Sequence, residues 1–460
     1  QLAEGITLGA FSTFLLFYFN QILQVSGTLT GIALGIALFC DAITDPIAGS
    51  ISDRLETRWG RRHPMMMGAA LPLGLSVIAL FNPPAGMSEM FYFCWLVTFA
   101  VSARLFLTLY HIPHLALGAE MAQDYLDRTR VYSFSQFFGT VGSAGFGFLM
   151  LTLFFPTTEE FSHGLLNSHG YGPFSIAAAI GIVVSISLCV AGTAREIPHL
   201  PAANFKKVER LNPRRLLREI TTAFKNHSYR MLVGGLFCAV ILLGIEGTFM
   251  VYMYVHFWGM ATEHMRWIGP IVLCALPFSV LLAPVLTKHL DKRRTLIGLS
   301  VVIIVCNNMM ICLRLFTDWL PENGSAELLA MLLAFIFTSG LAGPAIMITL
   351  NSMFADISDE QELLTHERQE GIIFSARSFA FKAGGAFATI LGGIGLDLID
   401  FPRGAAPGEV SPDVLFNLGV IAGPATSIVG LAVLAFYFGY RLDRARIAEI
   451  QLELAARRTR

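Results

Sequence analysis

Charged side chains are scarce in this sequence, which restricts the kind of protein it can encode. Only 14% of the 460 residues are Asp, Glu, Lys or Arg, while 54% are hydrophobic and the mean hydropathy is +0.62. Apolar runs of about twenty residues, the length with which an α-helix crosses a bilayer, recur along the whole chain. The composition therefore argues against a soluble protein and predicts an all-α membrane protein.

The chain also lacks the residue patterns of several other protein classes. All seven cysteines lie in apolar segments without CxxC spacing, which argues against a metal site or a disulfide framework. Neither G-x-S-x-G nor H-E-x-x-H occurs and the histidines are scattered, so no enzyme is predicted. A channel would more naturally be an oligomer with a repeated filter motif. We expect no cofactor and no nucleic-acid partner.

Twelve apolar spans are predicted from the runs. They begin near Gly5, Leu29, Met65, Met90, Val131, Phe174, Met231, Trp267, Thr295, Leu328, Gly371 and Phe416. Lys and Arg fall into alternate loops, namely Arg54 to Arg62, Arg128 and Arg130, Lys206 to Arg230, Lys288 to Arg294, Arg368, and the tail from Arg441. The positive-inside rule therefore predicts that these loops and both termini are cytoplasmic.

The longest polar connection divides the spans into two halves. We expect an N-terminal six-helix bundle at residues 1–196, a basic, proline-containing linker at 197–229, a C-terminal bundle at 230–442 and a cytoplasmic tail at 443–460. A weak repeat supports this division, because Asp53-Arg54 opens the basic loop after the second span and Asp291-Lys292 opens the one after the eighth. The tail is expected to contact anionic lipid.

Two acids interrupt the second span. Asp41 and Asp45 lie at i and i+4, so they share one helix face. A carboxylate at the bilayer centre costs about 2.5–3.5 kcal/mol on insertion scales, which makes an accidental pair improbable. Arg104 and Glu246 are weaker candidates of the same kind, and each could equally form a structural ion pair.

The loop after these acids carries a more specific signature. G-S-I-S-D-R, residues 49–54, followed by G-R-R, residues 60–62, resembles the G-x-x-x-D-R…G-R-R motif of the major facilitator superfamily. An acid and arginines at helix ends can form ion pairs in one state of a carrier and release them in another. We therefore expect gating roles for Asp53, Arg54, Arg61 and Arg62. Topogenic charge alone would explain the arginines but not Asp53.

Three further stretches narrow the resemblance. They are D-A-I-T-D-P-I-A-G at 41–49 with R-W-G-R-R-H-P at 58–64, H-I-P-H-L-A-L at 111–117 with D-R-T-R at 127–130, and A-D at 355–356 through R-Q-E-G-I at 368–372 to F-K-A-G-G-A at 381–386. Together they resemble the glycoside–pentoside–hexuronide:cation symporters, the melibiose-permease group of that superfamily. This resemblance implies two six-helix bundles and secondary transport by alternating access.

The resemblance also implies a cation site. Family members bind sodium, lithium or a proton at the helix-two acids, which correspond to Asp41 and Asp45, and Thr44 replaces an asparagine while retaining an oxygen donor. Thr44 could instead be a helix-packing hydroxyl. Lys382 matches the family's helix-eleven lysine and could neutralise the acids when no cation is bound, thereby coupling the two halves.

The solute is less well defined by the sequence. The charged trio that binds galactosides in the melibiose-permease group is replaced by Gly5, His111 and Gln136, and helix one offers Asn20 instead. A polar cavity could still be lined by Thr108, His111, Gln136, Arg377 and Ser378. His111 precedes Pro113, a local break in helix four, and could either pack or contact the solute or a proton.

Two classes of solute remain open. D-A-x-T-D-P and a histidine before the proline of helix four also resemble the sodium-dependent lysophospholipid transporters, and 37 phenylalanines would suit an acyl tail. Phenylalanine is equally ordinary lipid-facing filler, so a glycoside-like solute is preferred. We predict a monomeric symporter of the inner or plasma membrane, with Na⁺ or H⁺ as the coupling ion and a small-molecule or amphiphilic solute and membrane lipid as its partners.

Overall fold

The computed structural model describes residues 1–55, 57–121, 125–161, 163–199, 224–365 and 370–458. Most of the expected linker (200–223), and Arg368 of the helix-eleven motif, lie outside the described residues. Within them the chain is helical and folds as two six-helix bundles. Twelve helices are long and apolar enough to cross a membrane, so the predicted number of spans is confirmed.

The spans, named α1 to α12, are followed by a tail helix, α13. They are Leu2–Ile22, Gly27–Asp53, His63–Leu80, Glu89–Gly118, Ser133–Phe154, Ser168–Pro198, His227–Phe257, Thr262–Leu290, Lys292–Phe316, Ala326–Leu364, Ile373–Leu398 and Pro412–Phe438, and the tail helix is Arg444–Arg458. Alternate loops form two ends of the molecule. We call the end with Arg61, Arg62 and Lys288 the basic end, and the other the opposite end.

Local capping fixes where several spans begin. The side chains of Ser26, Asn226 and Ser411 accept hydrogen bonds from the backbone N–H groups of Leu29, Tyr229 and Val414, respectively. These bonds satisfy donors in the first helical turn that have no partner within the helix. The polar residues at the edges of the apolar runs therefore set the helix starts.

Small residues bring the two bundles together. A Cβ atom added at Gly393 of α11 would lie 2.1 Å from the Gly27 carbonyl oxygen of α2, and one added at Gly269 of α8 would lie 2.3 Å from the Ala144 carbonyl oxygen of α5. Helices in a membrane associate by close packing, which such residues permit. The α2–α11 and α5–α8 crossings form the contact between the bundles at these points.

The first helices of the two bundles end alike. α1 closes in a π-helical turn at Tyr18–Ile22 and α7 in one at Met253–Phe257, both at the opposite end. Just before the second turn, the Tyr252 hydroxyl donates a hydrogen bond to Asn20 Oδ1 across the bundles at 2.9 Å. π-helical turns recur at functional positions in proteins. Their matched placement is consistent with the repeat that the sequence suggested.

The opposite end is sealed by contacts between the bundles. The Asp397 carboxylate of α11 accepts hydrogen bonds from the backbone N–H groups of Gly27 and Thr28 at 2.9 and 2.8 Å. Arg403 and Glu89 form an ion pair at 3.2 Å, and the Tyr252 and Phe401 rings pack edge to face with centroids 5.3 Å apart. The bundles are thus bonded together at this end of the molecule.

Candidate cation and solute site

The two acids of α2 lie at mid-depth, between α4 of the same bundle and α11 of the other bundle. Asp41 is buried, with 7% of its surface exposed, and Asp45 is half-buried one turn further on. Pro46 follows within the same helix, which continues to the basic end. The i, i+4 spacing places both carboxylates toward α4 and α11, where each finds a partner.

α4 supplies one partner for each acid. Arg104 Nη1 lies 3.2 Å from Asp41 Oδ2, and the Thr108 hydroxyl donates a hydrogen bond to Asp45 Oδ1 at 3.0 Å. Arg104 and Thr108 are themselves four residues apart, so one face of α4 matches one face of α2. The Arg104 guanidinium also lies over the Phe11 ring of α1, 5.2 Å from its centroid.

α11 adds a lysine from the C-terminal bundle. Lys382 Nζ forms an ion pair with Asp45 Oδ2 and donates a hydrogen bond to the Asp41 backbone oxygen at 3.3 Å. Two carboxylates therefore face one guanidinium and one ammonium, and the four formal charges cancel. A neutral cluster lowers the cost of holding charges at this depth.

The cluster offers oxygen ligands for a small cation. Asp41 Oδ1 is buried without a hydrogen-bond partner among the described residues. The Thr44 hydroxyl donates to the Asp41 carbonyl oxygen at 3.5 Å, and Thr108 contributes a second hydroxyl. Carboxylate, carbonyl and hydroxyl oxygens are the donors that hard cations prefer. The residues fit a cation or a proton, provided that Lys382 withdraws from Asp45.

A central cavity of about 360 Å³ lies beside this cluster. α1, α2, α4, α5, α7 and α11 all contribute to its walls. The walls are mainly apolar, and their polar side chains are Ser12, Arg104, Ser143, Thr248 and Thr389. Arg104 therefore belongs both to the cavity and to the charge cluster, so a solute in the cavity lies one side chain away from Asp41.

Most of the solute-binding residues predicted from the sequence lie outside the walls of the central cavity. His111 Nδ1 lies 3.0 Å from Glu4 Oε2, and Gln136 is exposed on α5. Arg377 and Ser378 lie about one turn from Lys382 toward the basic end, and Arg377 Nε is buried without a partner among the described residues. The described part of the chain does not place these four side chains in the walls of the central cavity.

Asn20 lies in the seal rather than in the cavity. It is buried, its amide nitrogen donates to the Val25 carbonyl oxygen at 2.9 Å, and its amide oxygen accepts from Gln21 at 2.8 Å as well as from Tyr252. Gln21 in turn donates to the Pro402 carbonyl oxygen at 3.2 Å. The amide oxygen of Asn20 therefore accepts hydrogen bonds from both bundles.

The predicted gating residues form a cluster at the basic end. Arg62 is buried and lies 2.6 Å from Asp53 and 2.7 Å from Glu120, and Arg61 lies 2.8 Å from the same Glu120 oxygen. The Arg54 side chain lies outside the described residues. In the C-terminal bundle, Lys292 at the start of α9 pairs with Asp356 of α10 at 2.6 Å. Each bundle thus ties consecutive spans together at this end.

The sequence did not identify Glu120 as a functional residue, and it indicated Arg104 only as a weak candidate. Glu120 lies two residues beyond the end of α4, and no motif marks it. The spacing of Arg104 and Thr108 repeats that of Asp41 and Asp45, and this match was the available signal. It could not be used without knowing that α4 packs on α2.

Comparisons with known proteins agree with this architecture. A sequence profile of the family described as MFS/sugar transport protein matches residues 1–444. An uncharacterized symporter of Synechocystis sp. is 25% identical, over 98% of this chain and 94% of its own length. The lactose permease of Leuconostoc lactis is 22% identical, over 99% of this chain and 70% of its own length. The isoprimeverose transporter of Lactiplantibacillus pentosus is also 22% identical, over 83% of this chain and 75% of its own length.

Solved structures show the same fold. The inward-open xylose transporter XylE from E. coli superposes with a TM-score of 0.62, at 13% identity and with 98% of each chain covered. The nucleoside transporter NupG gives a TM-score of 0.60, at 13% identity, with 95% of this chain and 96% of that one covered. The resemblance drawn from the sequence motifs is confirmed: the chain belongs to the MFS/sugar transport protein family and is a multi-pass membrane transporter with the major facilitator fold.

Proposed function

We propose that this protein is a symporter that moves a glycoside-like solute together with Na⁺ or H⁺. The observation that carries the proposal is the charge cluster of Asp41, Asp45, Arg104 and Lys382, which joins α2 and α4 of one bundle to α11 of the other. Asp41 and Asp45 bind the coupling ion, assisted by the oxygens of Thr44 and Thr108.

Charge balance gives the coupling mechanism. The cluster is neutral as it stands, so an arriving cation must displace a positive charge to keep it neutral. Lys382 is the group that leaves, because its ammonium occupies the Asp45 oxygen and is half-buried on the other bundle. Its release breaks a contact between the bundles at mid-depth, and the equilibrium between conformations shifts by the difference in affinity of the two states for the ion.

The seal at the opposite end defines the state of the carrier. With basic loops and both termini on the cytoplasmic side, contacts such as Asp397 with Gly27 close the outward path, and the conformation faces inward. Asp53, Arg61, Arg62 and Glu120 then hold the basic end in its present arrangement. We propose that these pairs, which lie within the N-terminal bundle, rearrange when the protein converts to the outward-facing state.

The central cavity supports a small hydroxylated solute. Arg104, Ser12, Ser143, Thr248 and Thr389 present hydrogen-bonding groups between apolar walls, as small-solute sites commonly do. Relatives named for lactose and isoprimeverose favour a sugar over the lysophospholipid alternative. Since His111, Gln136, Arg377 and Ser378 lie outside the cavity walls, we place their contacts with the solute on its route to the basic end.

The remaining assignments follow from the membrane location. We place the protein in the plasma membrane as a monomer. Arg444 of the tail helix donates hydrogen bonds to the Thr287 and Lys288 carbonyl oxygens, which holds this helix beside the basic loops. Lys and Arg at this surface attract anionic lipid headgroups.

Replacement of Asp45 tests the coupling directly. In proteoliposomes, Asp45→Asn is expected to abolish accumulation of a labelled sugar driven by a sodium or proton gradient, while exchange without a gradient persists. The purified variant should also lose stabilisation by the ion, which for sodium at about 100 times its Kd amounts to about 2.7 kcal/mol in the native protein.

The exposed loop residue Asp318 provides the matched control, since Asp318→Asn removes the same charge outside the cluster. Lactose, isoprimeverose and xylose are the first sugars to test. Full gradient-driven accumulation by Asp45→Asn would contradict the proposal.

A further inference from the structure

A third acid lies at membrane depth, in the C-terminal bundle and outside the charge cluster. Glu246 of α7 lines a cavity of about 440 Å³ whose walls come mainly from α7, α8, α9, α10 and α12. Most of the wall is apolar, with Met250, Met253, Trp258 and Phe335 among its side chains. A carboxyl group at such a site is costly and calls for a specific partner.

The partner is an amide rather than a cation. Glu246 Oε2 accepts a hydrogen bond from Asn307 Nδ2 of α9 at 2.5 Å, and Asn307 Oδ1 accepts one from the Ser339 hydroxyl of α10 at 3.3 Å. Glu246 Oε1 is buried and has no hydrogen-bond partner among the described residues. The acid therefore ends a chain of hydrogen bonds that links three helices, and its second oxygen is left free.

Within the described part of the chain, no countercharge pairs with Glu246. Lys382 contacts Asp45, and Arg314 donates to the Pro321 carbonyl oxygen and lies over the Trp258 ring. Among the described residues, the other titratable groups of the cavity wall are Tyr254 of α7 and Cys306 of α9, while α8, α10 and α12 contribute none. None of these groups carries a positive charge, so an ionised Glu246 would be an uncompensated buried anion.

Protonation resolves this imbalance. An unpaired charge in an apolar site costs far more than its neutral form, so the group takes up a proton instead. The proton then resides on the unpartnered Oε1, while Oε2 continues to accept from Asn307. We propose that Glu246 and Asn307 form a proton-binding site of the C-terminal bundle, separate from the cation site at Asp41 and Asp45.

The position of this site gives it access to the transport path. Leu243 and Gly247, on either side of Glu246 in α7, line both this cavity and the central cavity. The proton on Glu246 is therefore next to the space that a solute occupies. Exchange of this proton with water, when the cavity opens, makes solute movement depend on pH even if the ion at Asp45 is sodium.

Infrared spectroscopy of the full-length protein in lipid nanodiscs tests the site without a solute. We expect a carboxylic-acid carbonyl band that is still present near neutral pH and shifts in D₂O. In Glu246→Gln, the intensity of this band should fall by the equivalent of one carboxyl group per protein. Glu327→Gln, which removes an exposed acid at the start of α10, serves as the matched control and should retain the band. A band unchanged by Glu246→Gln would overturn the proposal.

Two further measurements separate this site from the proposed symport. Sodium affinity measured by thermal shift should stay within about two-fold of the native value in Glu246→Gln, whereas Asp45→Asn should lose it and keep the infrared band. If Glu246→Gln does not fold, Asn307→Leu provides a second test, because loss of the amide donor should shift the frequency of the same band. An unshifted band in Asn307→Leu would also overturn the proposal.

Discussion

At the scale of single residues, Lys382 occupies the Asp45 oxygen at which we propose that the coupling cation binds. Its ammonium neutralises Asp45 and reaches the Asp41 backbone, while Arg104 neutralises Asp41 separately. The two basic groups come from different bundles and differ in chemistry, since a flexible ammonium can withdraw more readily than a stacked guanidinium. In the proposed mechanism, this asymmetry makes Asp45 the acid that exchanges partners.

Removal of the ammonium should make the cation more important for stability. In Lys382→Gln we expect a lower melting temperature without sodium, because Asp45 is left unpaired, and a larger sodium-induced increase than in the native protein. Thermal unfolding of purified protein, measured with and without sodium at several pH values, checks this expectation.

Lys288→Gln, at an exposed position of the basic end, is the control for loss of a lysine charge. The double variant Asp45→Asn with Lys382→Gln should recover stability but show no response to the ion. An equal sodium response in Lys382→Gln and the native protein would contradict the displacement mechanism.

At the scale of secondary-structure elements, the α2–α11 crossing brings the two bundles into very close contact at Gly393. A single substitution can test this contact. Gly393→Ala places a methyl group 2.1 Å from the Gly27 carbonyl oxygen, so the helices must separate. Overpacking of this kind costs about 1–3 kcal/mol, and we expect a lower melting temperature and a population shifted away from the sealed conformation.

The matched control for this crossing is Gly68→Ala in α3, where an added Cβ meets no atom within 4 Å. That substitution should leave stability unchanged or raise it by about 0.5–1 kcal/mol, since glycine weakens a helix. If Gly393→Ala were as stable as Gly68→Ala, the described crossing would be wrong.

A buried histidine in the loop between α5 and α6 predicts that the seal depends on pH. His163 is buried there, and its Nδ1 accepts from the Thr262 hydroxyl and the Leu165 backbone N–H, both at 3.3 Å. Burial lowers the pKa of His163 to about 4, partly offset by a backbone hydrogen bond with Met260 and by the charge of Glu263. The neutral form is therefore the one that the sealed end accommodates.

Acid should accordingly weaken the seal. When the end opens, His163 regains an ordinary pKa near 6.5, so the open state binds a proton at pH values where the sealed state does not. The sealed conformation loses stability as the pH falls from about 6.5 to about 4 and loses no more below that. Distances between spin labels at the opposite end should lengthen over this interval in the native protein but not in His163→Gln.

At the scale of the whole molecule, the conformation depends on a few bonds at one end. The Asp397 carboxylate of one bundle caps the first turn of α2 in the other, where backbone N–H groups lack partners and the helix dipole favours negative charge. Each hydrogen bond to a charged group contributes about 1.5–3 kcal/mol. The two bonds together are therefore comparable with the few kcal/mol that separate the states of a carrier.

Loss of this cap should favour the outward-open state. Asp397→Asn retains the size of the side chain but removes the charge and one acceptor, so we expect a larger population with the opposite end open. Spin-label distances between the α2 and α11 ends measure this population. Asp413→Asn, which removes an exposed acid at the same end, is the control, and equal distances in the two variants would contradict the proposed seal.

The sequence alone determined the twelve spans, the family, and the placement of Asp41 and Asp45 on one helix face. Hydropathy, short motifs and the i, i+4 period are properties of neighbouring residues, so they can be read without the fold. The partners were decided by tertiary structure: Arg104 lies 63 positions from Asp41, and Lys382 lies 337 positions from Asp45. The same is true of Asn20, because only the packing of α7 on α1 places this asparagine in the seal and not in the solute cavity. Contacts between distant segments depend on how helices pack, and no local pattern records that packing.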